Sequence, residues 1–244
     1  MDEATSVVAQ AMREPAATGP VAGPAAPTPD FAAMREAMVD SQLRPTGVND
    51  PAVVGAFRAV PREAFVPAPL RALAYLDEDL TIAPGRALIE PMIIGNLLQR
   101  AAPGEGDRAL ILPAGSGYEA AVLARLAGRV TALEADPALA ARARAALALH
   151  AATVELVEGP LEAGWPAHAP YDLIVIAGAI ERLPEALAAQ LANGGRIAAV
   201  MVDERGVGRA SIGRRAGGVI GFEPFMDVAT IRLPGFERPR VFQF

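Results

Sequence analysis

The sequence predicts a doubly wound, mostly parallel α/β sheet that ends in an antiparallel strand pair. Between Ala109 and Val202, short apolar runs alternate with helical stretches at a spacing that calls for parallel strands joined by right-handed crossovers. A glycine-rich turn, Pro113-Ala-Gly115-Ser-Gly117-Tyr118, directly follows the first of those runs. Beyond Ala210 the chain loses its helical stretches and becomes a succession of strand-like segments.

Taken in order, the first segment, 1–30, is an arm rich in Ala, Pro and Gly with no sustained apolar face, expected to be disordered and dispensable for folding. Residues 31–244 are expected to form a single domain, divided into a helical subregion, 31–100, and a Rossmann-like core with its antiparallel tail, 101–244. Phe31, Met34, Met38 and Val39 recur at helical spacing. Val53, Val54, Phe57 and Val60 repeat that pattern, with Asn49 or Asp50 placed to cap and Pro51 in the first turn. In the core, Ala109–Leu112 reads as a strand, Glu119–Leu126 as a helix, and Arg129–Leu133 as a strand closed by Glu134. A helix from Pro137 to Leu149 leads to a strand at Val154–Val157. Leu173–Ile176 reads as a buried strand, Glu185–Leu191 as a helix and Gly195–Val202 as a strand. Gly217–Phe225 and Val228–Leu233 read as the terminal antiparallel pair.

Composition removes several classes of chemistry. The 244 residues include no cysteine, so disulfides, thiolate nucleophiles and thiolate metal sites are excluded, and two histidines are too few for a histidine-rich metal centre. All 22 basic residues are arginine, which excludes Schiff-base and phosphate-loop lysine chemistry. A net charge of −6 without a basic run argues against nucleic acid or anionic lipid as a partner. No run approaches the roughly 18 apolar residues of a membrane span, and no basic start precedes an apolar run as in a signal peptide. A reducing, cytoplasmic setting fits.

In sheets of this class, ligands bind at the carboxyl ends of the strands. The turn Ala114-Gly115-Ser116-Gly117 lets backbone approach a ligand, and the next helix would offer free N–H groups. Glu134, at the end of the second strand, is placed to accept hydrogen bonds from both hydroxyls of a ribose. Glu158, at the end of the third, is in reach of an adenine edge. Together they point to an adenosine-containing ligand. Gly115-x-Gly117-x-x-Ala120 with Glu134 downstream also fits a dinucleotide fingerprint, so a nicotinamide oxidoreductase is an alternative, although no second mononucleotide half follows. Asp77-Glu78-Asp79 reads as a solvated face rather than a cation site, and no metal is expected.

A longer series of residues resembles the protein-L-isoaspartate O-methyltransferases, class I S-adenosylmethionine enzymes. It runs through Gln42-Leu43, Gly47-Val-Asn-Asp50, Val60-Pro61-Arg62-Glu63-x-Phe65-Val66-Pro67 and Ala74-Tyr75-x-Asp77. Gly115-Ser-Gly117-Tyr118, Pro170-Tyr171-Asp172 and Gln190-Leu191-Ala-Asn-Gly194-Gly195-Arg196 continue it. The resemblance implies a methyltransferase fold, S-adenosylmethionine as cofactor and an isoaspartyl protein or peptide as repair substrate. It implies further that Gly115, Ser116 and Gly117 line the methionine and ribose side, with Glu134 at the ribose and Glu158 near the adenine.

Two places depart from the family pattern. An acidic residue and a glycine usually precede the retained Gly-x-Gly, where this chain has Ile111 and Pro113. The family also has a serine or threonine two residues before a proline, a hydroxyl associated with orienting the isoaspartyl carboxylate. In Leu88-Ile89-Glu90-Pro91 that position is Ile89. Poor turnover of isoaspartyl peptides is the expectation, and a non-catalytic, cofactor-fold binding or scaffold protein is a second alternative. Glu90 has two readings. Facing the site about 4 Å from a substrate carboxylate, it would repel it by roughly 4 kcal/mol at an effective dielectric of 20, and would suit a base acting on a hydroxyl or amine. Structurally, it stands at a helix entrance before Pro91, with Ile89 stapled onto Ile94.

Overall fold

The computed structural model describes residues 29–239. The expected N-terminal arm lies outside that range except for its last two residues.

The helical subregion begins with α1 (Phe31–Met38), capped by the Asp30 side chain, which accepts from Ala33 N, and extended by a π-turn over Val39–Leu43. In α2 (Pro51–Ala59) it is Asp50 that caps, accepting from Ala52 N and Val53 N, with Pro51 in the first turn as expected. Arg35 of α1 binds both Glu63 and the Tyr75 hydroxyl, which ties α1 to the 3₁₀ turn Arg62–Phe65 and the segment after it. Burial and the neighbouring Glu63 push the Tyr75 phenol up to about 12, so it stays a neutral donor to Glu63.

A hairpin absent from the expected helical subregion follows: β1 (Leu80–Ala83) pairs antiparallel with β2 (Arg86–Leu88) through Pro84-Gly85. Next comes α3 (Pro91–Ala101), with Glu90 at its N-cap position and Pro91 first in the helix. Ile89 and Ile94 are both fully buried in one core cluster, consistent with a hydrophobic staple.

The core sheet contains β3 (Arg108–Leu112), β4 (Arg129–Glu134), β5 (Glu155–Glu158), β6 (Tyr171–Ile180), β7 (Leu191–Val202), β8 (Gly208–Ala216) and β9 (Val219–Asp227). Their spatial order is β5-β4-β3-β6-β7-β8-β9, parallel through β7 and antiparallel for the last two. The chain moves outward from β3 to β5 and then returns to β6 on the other side of β3. The topological switch therefore falls at the carboxyl end of β3. Helices α4 (Tyr118–Leu123), α5 (Pro137–His150) and α6 (Glu185–Ala188) cross between strands.

Three expected elements change. The helix after the glycine turn spans Tyr118–Leu123, six residues rather than eight, because Ala124–Ala127 tighten into a turn. The helix expected to reach Leu191 stops at Ala188, since Leu191 already pairs with Tyr171 in the sheet. The terminal strand pair is displaced toward the N-terminus: β8 and β9 turn at Gly217-Gly218, both at positive φ. Val228–Leu233 is not a strand of that pair. It runs beside the end of β6 in a short parallel bridge, where Ala179 N donates to Ile231 O at 2.8 Å and Leu233 N donates to Ala179 O at 2.9 Å.

Candidate active site

The turn after β3 is held by its neighbours. Ala114 N donates to Leu133 O at 2.8 Å, and Gly117 N donates to Ala114 O at 2.8 Å. Gly115 and Gly117 have φ of +55° and +97°, a region that strains any other residue. A Cβ on Gly117 would also meet the Leu147 side chain of α5 at 3.0 Å. Gly117 is thus required both by backbone conformation and by the closeness of α5.

Glu134 is fully buried at the end of β4. One oxygen, Oε2, accepts from Gly115 N at 2.8 Å. The other accepts from Ala135 N at 2.9 Å, Asp136 N at 3.0 Å and Arg86 Nε at 3.3 Å. A carboxylate accepts about four hydrogen bonds, so this one is saturated by the chain itself. Three of the donors are backbone groups that fix the turn. The fourth, Arg86, belongs to the β1–β2 hairpin and is a side chain that can leave. From the same hairpin, Ile82 reaches to within 3.6 Å of where a Gly115 Cβ would lie. The hairpin therefore closes over the turn and over Glu134.

Ser116, beside this clasp, is 5% exposed, and its buried hydroxyl has no hydrogen-bond partner. An orphaned hydroxyl, two left-handed glycines and an acidic strand end fit the polar half of a nucleoside ligand. Glu158 lies in register with Glu134, yet its side chain turns to α5 and pairs with Arg144 at 2.8 Å, half exposed. Ile111 is buried in β3 and Pro113 is buried just past its end. Their side chains pack the core rather than offering polar groups to a ligand.

The Leu88–Pro91 corner is built from buried charges that sequence reasoning missed. Arg62, fully buried, donates to Ala74 O at 2.7 Å and to Ile89 O at 2.9 Å, and its guanidinium lies 4.7 Å from the Tyr118 ring centroid. Glu119, 3% exposed, accepts from Ile89 N at 3.3 Å. Burial raises its pKa against the lowering field of Arg62. Glu90 N donates to Asp79 Oδ1 at 2.8 Å. Asp79 Oδ2 in turn accepts from Thr230 Oγ1 and Ile231 N, at 2.7 and 2.9 Å. Asp79 thus joins the hairpin, the head of α3 and the C-terminal crossing segment, unlike the solvated face expected of Asp77-Glu78-Asp79.

Two consequences follow for this corner. The successive N–H groups of Ile89 and Glu90 are already committed to the chain's own carboxylates, so neither is free for an incoming one. The Glu90 carboxyl is raised above its ordinary value by burial and then by Asp77, Asp79 and Glu78. Leu88 and Ile89 are fully buried and Pro91 is buried at the helix head. Only Glu90 of the four is partly open to solvent. His150 packs against the Phe65 ring at 5.6 Å, and His168 lies between Thr131 Oγ1, at 3.2 Å from Nδ1, and Glu155 Oε1, at 3.6 Å from Nε2. Tyr171 is buried, its hydroxyl donating to Trp165 O at 2.7 Å. Among the described residues no group of three or more His, Asp or Glu could hold a metal ion, and no helix is long and apolar enough to cross a membrane.

A parallel sheet switching at β3, a glycine turn at that switch and an acidic clasp at the next strand end define a methyltransferase-type α/β protein. The comparisons narrow this further. The family model for protein-L-isoaspartate(D-aspartate) O-methyltransferase matches residues 33–233. Protein-L-isoaspartate O-methyltransferase 1 of Rhodopseudomonas palustris strain HaA2 is 48% identical over 168 residues, covering 68% of this chain and 69% of that one. A relative of the same name from Methylorubrum extorquens strain PA1 is 47% identical over 171 residues, 70% of this chain and 75% of that one. Among solved structures, a protein-L-isoaspartate O-methyltransferase superposes with a TM-score of 0.71 at 24% identity, over 82% of this chain and 66% of the other. A putative Plasmodium falciparum member, solved with S-adenosyl-L-homocysteine, gives 0.70 at 17% identity, over 84% and 99%. The chain belongs to the protein-L-isoaspartate(D-aspartate) O-methyltransferase family. That membership sets aside the nicotinamide oxidoreductase reading.

Proposed function

We propose that this chain is an S-adenosylmethionine-dependent O-methyltransferase that esterifies isoaspartyl carboxylates in damaged proteins or peptides. The observation that carries the reading is the Glu134 clasp on the Gly115 turn, in a chain whose family match spans almost all the described residues. When bound, the cofactor supplies a methyl group on a sulfonium sulfur, electrophilic without further activation. Glu134 would hold the ribose once Arg86 withdraws, and Ala114, Gly115, Ser116 and Gly117 would line the remainder of the polar half. Glu158 would reach the adenine only by releasing Arg144.

An isoaspartyl carboxylate is ionised at pH 7 and needs no general base. The work left to the protein is alignment of oxygen, methyl and sulfur. Attack of a backbone amide nitrogen on the resulting ester expels methanol and closes a succinimide, and hydrolysis of that ring restores part of the normal linkage. At the acceptor corner Leu88, Ile89, Glu90 and Pro91 provide shape but few donors. Ile89 has no hydroxyl, and the two nearest N–H groups are taken by Glu119 and Asp79. Weak isoaspartyl turnover follows from that arrangement.

Glu90, the one residue of the corner partly open to solvent, favours a second reading, in which the acceptor is a hydroxyl or amine and Glu90 takes its proton. Methyl-ester formation on an isoaspartyl peptide, its aspartyl counterpart and a lysine-containing peptide, with S-adenosylhomocysteine titrated calorimetrically, separates the readings. Ester confined to the isoaspartyl peptide supports the first. Base-stable methylation of the amine peptide alone supports the second, and absence of cofactor binding removes both.

A further inference from the structure

A cavity of about 530 Å³ opens between the segment Ala64–Ala68 and the outer face of α5. Its volume is that of a small-molecule site. Phe65, Val66, Ile82, Leu139, Ala146 and Leu149 give it apolar walls. Leu149 is 81% exposed, an unusual position for a leucine on a helix whose other large apolar residues, Leu139 and Leu147, are buried.

Two cations face this apolar space. Arg71 reaches it from the 3₁₀ segment Ala68–Leu73 and Arg142 from α5. Neither has a carboxylate partner among the described residues. In a chain of net charge −6, two guanidiniums that line one apolar cleft without a carboxylate partner among the described residues are placed for an anion with an apolar body. Ser116, its buried hydroxyl unpartnered, lies at the inner side of the same cavity. The cleft therefore reaches the glycine turn without including Glu134 or the Ile89 corner.

We propose that this cavity binds a small amphipathic carboxylate, its apolar body along Phe65, Leu139 and Leu149 and its head between Arg71 and Arg142. A guanidinium fork matches a carboxylate through two parallel hydrogen bonds. Ligand at this place rests against Ser116, so its occupancy and that of the glycine turn are coupled in both directions. The inference does not depend on which acceptor the enzyme methylates.

The test is calorimetric titration of the full chain with dodecanoate below its micelle concentration, beside dodecylammonium and methyl dodecanoate. One saturable site for dodecanoate is expected, with the ammonium and the ester at least about tenfold weaker. The double variant Arg71→Gln/Arg142→Gln, at exposed positions where folding is undisturbed, should weaken dodecanoate by about tenfold or more while leaving thermal stability unchanged. Ala146→Trp, which fills the cleft, should abolish binding. Equal affinity for the three probes would overturn the proposal, because the head group would not be read. Absence of saturable binding, or binding indifferent to the arginine pair, would overturn it too. So would capture of an acidic, apolar-flanked peptide by a cleft that ignores dodecanoate, which would make it a polypeptide subsite.

Discussion

Replacing Arg86 by methionine should tighten cofactor binding while loosening the fold. The Arg86–Glu134 contact is 3.3 Å long, with the arginine side chain 11% exposed and the glutamate fully buried. At that distance the bare attraction is about 5 kcal/mol for an effective dielectric of 20. After desolvation, a charge-assisted hydrogen bond of this kind contributes roughly 1.5 to 3 kcal/mol. A ribose hydroxyl held by Glu134, as proposed, would displace it, and the same amount would then be subtracted from the binding free energy. Methionine fills similar space and donates nothing, while the N–H groups of Gly115, Ala135 and Asp136 still hold the carboxylate. S-adenosylhomocysteine should then bind about ten- to a hundredfold more tightly, read by isothermal calorimetry. In its absence the thermal midpoint should fall by about 3 to 12 °C, taking 2 to 4 °C per kcal/mol for a chain of this size. Unchanged or weaker binding in the variant would refute the reasoning, because Arg86 would then not occupy the ribose position.

Other perturbations bear on the same site. Glu134→Ala should weaken S-adenosylhomocysteine by roughly 1.5 to 3 kcal/mol, and an unaltered affinity would remove the strand-end carboxylate from the site. Ile89→Ser should raise isoaspartyl methyl-ester formation about tenfold or more if the missing hydroxyl limits alignment; strong turnover by the native chain would show that it does not. Glu90→Gln should raise the thermal midpoint at pH 7. The Glu90 pKa is above its ordinary 4.5 in the folded state, so the ionised form disfavours folding, and the advantage of Gln should shrink as pH falls from above the folded pKa toward 4.5. A difference between variant and native chain that grows on acidification would contradict that sign.

The sheet was legible because parallel strands buried on both faces are continuous apolar runs, as in Leu173–Ile176 and Ala109–Leu112. The acid closing β4 was legible because it follows Ala132-Leu133 at the strand end. The hairpin was not, since strands of four and three residues around Pro84-Gly85 offer no periodicity to count. Gly217-Gly218 is an ordinary turn signal that was read as part of a strand, and the whole terminal pair shifted with it. Arg62 and Glu119 were missed because one charged letter does not announce burial. In Glu119 a signal existed: it is the one carboxylate in a helix, Tyr118–Leu123, whose every residue is buried.

The arrangement of Asp79 and Arg86 determines how the hairpin can open. Asp79, just before β1, is held by three donors, two of them backbone N–H groups at 2.8 and 2.9 Å. That end is tied to α3 and to the segment crossing β6. The other end carries Arg86 next to the Pro84-Gly85 turn, and its one side-chain hydrogen bond to the core is the long contact with Glu134. Breaking one contact of 3.3 Å is easier than breaking three short ones, so motion should begin at the Arg86 end and pivot near Asp79. Amide hydrogen exchange of the ligand-free chain should accordingly be faster at Ile82 and Ala87 than at Glu90 and Ile231, with Arg86→Met widening the gap. Equal protection across all four amides would mean that the hairpin opens as one piece with the C-terminal crossing, and cofactor entry would then require Asp79 to let go as well.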